Sequence, residues 1–136
     1  MRFAAKLPAN CPPSSCVPTS GKVFRIVGKN PPREEDFKSF RELKPDEEFK
    51  DESKECEACG LSIYRDKSDV HRMIRRIPNR RKRIQIVAMG ILNETMGVMV
   101  HTPKKKENSH HTWWMYFGCS AWEEFTVVEI IQPRST

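Results

Sequence analysis

The stretch IQIVAMGIL, Ile84 to Leu92, is apolar at nearly every position and rich in β-branched residues. A strand places successive side chains on opposite faces, so a run of this kind is a strand covered on both sides and interior to its sheet. Further strands read outward from it. Gly97–His101, Thr112–Phe117 and Phe125–Ile131 follow, each β-branched or aromatic, with Pro133 ending the last. Val23–Val27 and Leu61–Tyr64 precede it, and Asn30-Pro31-Pro32 closes the former. Two segments have helical spacing instead. Glu34–Leu43 carries Phe37 and Phe40 behind early acids. The segment after Ser68, an expected N-cap, places Val70, Met73, Ile74 and Ile77 on one face before Pro78. The order predicts an α+β fold, a mostly antiparallel sheet of five to six strands with one or two short helices. Residues 1–21, Pro/Ser-rich and without periodicity, read as a disordered or loosely attached tail, and residues 22–136 as one domain. The acidic stretch 44–57 reads as a solvated loop.

The chain has 136 residues and a formal charge of +6, a surplus that favours acidic partners. No segment has the apolar length of a membrane span, and no apolar core of an export signal is visible near Met1. Five cysteines, an odd number, then read as free thiols of a reducing cytoplasm. Phosphate-loop, dinucleotide-loop, nucleophile-elbow and zinc-protease motifs are not found in the sequence.

The positive charge is concentrated. Arg72, Arg75, Arg76, Arg80, Arg81, Lys82 and Arg83 follow one another with no acid between them, and Lys104, Lys105 and Lys106 form a second cluster. With the apolar stripe turned to the core, the helix arginines face solvent. Such a surface contacts phosphates, and guanidinium does so in a bidentate way. The leading expectation is a binding module for nucleic acid or an acidic protein partner; the bland one is a solvated face neutralised by the stretch 44–57.

Cys56 and Cys59 make a C-x2-C pair of the zinc-knuckle kind, but tetrahedral closure needs a second pair, so the expectation is no metal and no cofactor. Trp113 and Trp114 are adjacent on a strand and divide between its faces, which leaves at least one of them partly exposed and suited to a subunit contact. Arg25 and Glu129 are charged residues inside apolar strands, where burial requires a partner.

Three segments carry a resemblance: Phe24–Val27 with Asn30-Pro31-Pro32, then Gly60–Tyr64 before a helix, then His110–Trp114. Together they resemble a family of small uncharacterised bacterial proteins. The order of an arginine-bearing strand, GLSIY and a helix is similar, more distantly, to the start of ADP-ribosyltransferase-like domains. That resemblance implies an NAD cleft lined by Arg25, Ser62 and Tyr64, with Glu129 as the late catalytic glutamate.

Overall fold

The structure is a computed structural model that describes residues 2–47 and 49–134. Its strands are β1 (Val17–Pro18), β2 (Gly21–Val27), β3 (Leu61–Tyr64), β4 (Gln85–Leu92), β5 (Gly97–His101), β6 (His110–Met115) and β7 (Phe125–Ile131). They form one sheet in the order β1-β5-β6-β3-β2-β4-β7, with every neighbouring pair antiparallel. The helices are α1 (Phe40–Leu43), α2 (Glu52–Ala58), α3 (Lys67–Arg76) and α4 (Pro78–Arg81), with 3-10 turns at Glu34–Phe37 and Ala121–Glu124.

The α+β class and the antiparallel sheet agree with the pattern in the sequence, but the sheet has seven strands, more than the expected five to six. The addition is β1, two residues long, which pairs Val17 with Met99 and Pro18 with Val98. Two residues show no period, so nothing in the sequence could mark them. The same holds for much of the segment expected as a tail. Ala4 donates to the Met115 carbonyl, Phe117 to that of Arg2, and buried Thr19 donates its hydroxyl to the Asn93 carbonyl at 2.6 Å. Isolated contacts of this kind fix a chain without a repeating pattern.

One face of the sheet packs Val23, Ile63, Ala88, Met99 and Trp113 against Phe37 and Phe125. The other face has two separate covers. The stripe Val70, Met73 and Ile74 of α3 lies on Tyr64 and Val87. Trp114 lies under Cys56 of α2 and Cys59 just after it, and under Phe3, Ala5 and Leu7. Both tryptophans are therefore sealed, at 0% and 1% exposure, and neither offers the expected partly exposed surface. Each finds a partner for its indole N–H, Trp113 on the Met96 carbonyl and Trp114 on that of Cys56.

Several local expectations are corrected. Asp66, not Ser68, caps α3, and Ser68 joins the cap by donating its N–H and its hydroxyl to the Asp66 carboxylate. Pro78 ends α3 and also opens α4, as its fixed φ allows at a first helical position. The helix expected over 34–43 is two short pieces, because Ser39 is extended and caps α1 in a reciprocal box with Glu42. Within the acidic stretch, Asp51 accepts from Ser53 and Lys54 and starts α2. Cys11 and Cys56 form a disulfide, so the chain carries Cys16, Cys59 and Cys119 as thiols instead of five. The argument for a reducing compartment lapses with it. No helix of the described residues is long and apolar enough to cross a membrane.

Gly97 shows how tightly the turn into β5 is drawn. Its φ is +139°, and a Cβ there would stand 2.2 Å from the Trp114 carbonyl oxygen and 2.9 Å from the Trp113 indole nitrogen. Gly97→Ala is expected to lower the unfolding free energy in urea by at least about 2 kcal/mol. An unchanged midpoint would contradict this packing.

Candidate functional site

β2 and β3 pair at a single position, Phe24 with Tyr64, and then diverge. Arg25 fills the gap. Its Nη1 donates to the Ser62 carbonyl at 2.8 Å, and its Nε and Nη2 donate to the Asp36 carbonyl at 3.2 and 3.1 Å. Its guanidinium also lies over the Phe37 ring, 5.5 Å from the centroid. Burial pushes its pKa down to about 10, and Asp36 opposes the shift. At neutral pH the group remains a cation.

Beside this gap is a cleft of about 440 Å3. Ser62 and Tyr64 of β3 and His110 of β6 line its floor. Arg76 of α3, Arg80 of α4 and Ile77 between them join the lining, with Lys38, Phe40, Leu43, Glu57, Lys104 and Glu107. Five cations, with Arg25, thus meet two carboxylates. Both carboxylates are already paired. Glu107, fully buried, holds Arg76 through two bonds of 2.6 and 3.2 Å, and Glu57 meets Lys104 at 3.3 Å. Arg80 donates to Gln85 Oε1 at 3.1 Å. The arginines are therefore held in place before any ligand arrives, which lowers the ordering cost of binding an anion. A neighbouring cavity of about 500 Å3 shares Glu57 and Lys104 but is otherwise lined by residues such as Pro13, Ser53 and Cys56.

The histidine on the floor is oriented closely. His110 Nδ1 lies 2.8 Å from the Thr102 carbonyl oxygen, which can only accept, so Nδ1 carries the proton. Nε2 is then the bare nitrogen, and the Ser62 hydroxyl donates to it at 3.0 Å. Burial lowers the His110 pKa below the ordinary histidine value, so the ring is neutral at pH 7. Tyr64 packs edge-on against this ring, centroids 5.2 Å apart. Burial and the charge of Glu107 push its pKa up to about 12, so its hydroxyl is a neutral donor.

The structure divides the basic cluster. Arg76 and Arg80 face the cleft with Lys104. Arg72 turns to Asp69, at 2.6 Å, while Arg75 and Arg81 line a small hollow beside β7 with Arg134. Lys82, Arg83, Lys105 and Lys106 are exposed. Among the described residues of the acidic stretch, Glu55 pairs with Arg41 and Glu57 with Lys104, and no ion pair to α3 or α4 is formed.

Of the residues that the ADP-ribosyltransferase resemblance implies, Arg25, Ser62 and Tyr64 line one cleft. Glu129 does not join them. It meets His71 at 2.8 Å and Lys67 at 3.3 Å on the β7 side of α3, nor does it pair with Arg25. Cys56 is held in the disulfide, and the Cys59 thiol, buried beside Glu55, is pushed up to about 11. Neither is poised as a zinc thiolate. Glu107 and Lys38 escaped the sequence reading because an acid in a lysine-rich loop and an isolated lysine look like solvated surface. His110 has a signal in its double histidine, but its partner Thr102 comes from another loop. Comparison with family models, with curated proteins and with solved structures gave no match.

Depressed pKa values at His110 and His111, both from burial, make a signed prediction. Ser62, Tyr64, Thr102, Lys104, Glu57 and His111 face His110; burial lowers its pKa more than the Thr102 carbonyl and the charge of Glu57 raise it. As pH falls through the unfolded value of about 6.5, the unfolded chain takes up protons that the folded chain refuses, so stability is present above that pH and declines below it. Carboxylates such as Asp69, whose pKa is held low by Ser109 and Arg72, extend the loss at lower pH. Urea unfolding between about pH 7.5 and 5 should show this decline. Histidine resonances titrating above 6.5 at both positions would refute it.

Proposed function

We propose that the protein is a binding module for single-stranded nucleic acid, with phosphates taken by the cleft cations and an unpaired base laid against its apolar side. The observation that carries this reading is the combination of surfaces in one concavity. Arg76, Arg80 and Lys104 supply fixed positive charge, and Phe40 and Leu43, 39% and 62% exposed, supply an apolar platform. Single strands present both a charged backbone and free base faces, and this pairing of a cationic groove with an aromatic surface is how proteins hold them. Arg83, Lys82, Lys105 and Lys106 extend the positive field for approach of a polyanion. An acidic polypeptide would meet the charge but would leave the stacking surface unused.

Fluorescence anisotropy with labelled oligothymidylate and oligouridylate tests this directly. Affinity should fall steeply with salt. Replacing Lys38 and Lys104 by Gln should weaken binding about tenfold and make the salt slope shallower by about 1 to 2. Replacing Arg75 and Arg81, which line the hollow beside β7, should change affinity less than about threefold. Equal losses in both pairs, no binding at low salt, or complete displacement by polyglutamate but not by unlabelled strand would contradict the proposal.

A further inference from the structure

The floor of the cleft carries a nucleophile and a base in the relation that activates a hydroxyl. Ser62 is exposed to the cleft, and its Oγ lies 3.0 Å from His110 Nε2. His110 itself is 4% exposed and cannot turn away. Its Nδ1 is fixed by Thr102, whose hydroxyl is 2.8 Å from that of Thr112. A nucleophile bonded to a base, with the base oriented by a third group, is the pattern of nucleophilic catalysis, here with a backbone carbonyl as the orienting group. The serine is positioned from behind as well, because Arg25 holds the Ser62 carbonyl at 2.8 Å. The surroundings select the electrophile. Arg76, Arg80 and Lys104 around this pair stabilise a reaction centre that carries and gains negative charge, as phosphorus does and a neutral carboxylic ester does not.

We propose that Ser62 is the nucleophile, and His110 the base, of a phosphodiester-cleaving site within this cleft. The inference rests on the strand-binding reading above. Ser62 Oγ forms a bond to phosphorus while its proton passes to His110 Nε2. The bond from phosphorus to the leaving sugar oxygen breaks, that oxygen keeps the electron pair, and solvent protonates it. Water then attacks the serine-linked phosphate, losing a proton to solvent. Ser62 Oγ departs and recovers its proton from His110. The sum is one diester and one water giving a monoester and an alcohol. The attack uses the protein's own hydroxyl, so it needs no 2′-hydroxyl on the strand and applies to DNA as well as RNA.

The test uses the full chain, labelled oligothymidylate and oligouridylate, and the variants Ser62→Ala and His110→Gln. The wild-type protein should cut both strands. Ser62→Ala, a change at an exposed position, should lose at least about a thousandfold in cleavage while still binding either strand in the anisotropy measurement. His110→Gln should be similarly slow, and a strand with sulfur at the bridging position should leave its phosphate on Ser62, read as an added mass on that peptide. Cleavage retained in Ser62→Ala, cleavage confined to the ribose strand, or wild-type binding without cleavage of either would overturn the assignment while leaving strand binding intact. Absence of binding by wild type would overturn both.

Discussion

The three hydrogen bonds of Arg25 hold this molecule's sheet together where its ladder fails. β2 and β3 share one paired position, so the sheet is close to two sheets: β1, β5, β6 and β3 on one side, β2, β4 and β7 on the other. A guanidinium replaces the missing ladder bonds. It ties β3 to β2 through the Ser62 carbonyl, and ties both to the 3-10 turn through the Asp36 carbonyl. Hydrogen bonds to a charged donor are stronger than neutral ones, which offsets the desolvation that pulls the Arg25 pKa down. Truncating this side chain would remove the guanidinium donors from the Ser62 and Asp36 carbonyls.

The cleft follows from that divergence. On this face α3 lies on Tyr64 and Val87, across the seam between the halves, and α2 with the N-terminal segment lies on Trp114. The space between the covers is the cleft, floored by Ser62 and Tyr64 of β3 and His110 of β6. Polar residues are therefore tolerated there: Ser62, His110, Thr102 and Thr112 satisfy one another in a chain of hydrogen bonds. Glu107 is buried at the rim and holds Arg76 with two hydrogen bonds, so the cationic wall is fixed by the fold. Binding and chemistry then draw on one arrangement, charge on the walls and an oriented hydroxyl below.

Strong periodicity made β4, β5, β7 and the buried stripe of α3 legible from the chain alone, because each repeats a pattern over several residues. β1, the N-terminal contacts and the Cys11–Cys56 bridge were not legible, since they depend on single residues meeting across long separations. The site was half legible. The basic run announced Arg76 and Arg80, and an analogy to another fold pointed at Arg25, Ser62 and Tyr64. Neither could show that these residues share one cleft, because that depends on where β2 and β3 part. Nor could the run of arginines reveal its own division: Arg75 and Arg76 are neighbours in sequence, yet a turn of 100° per residue sends them to different hollows.

Amide chemical shifts of the isotope-labelled protein, mapped as a short oligothymidylate is added, test the location of the site most directly. The account predicts that the largest changes fall on Ser62, Tyr64, Lys104, Glu107 and His110, with Arg81 to Arg83 and β7 little affected. Changes centred on Arg75, Arg81 and β7, with the cleft residues unmoved, would contradict it.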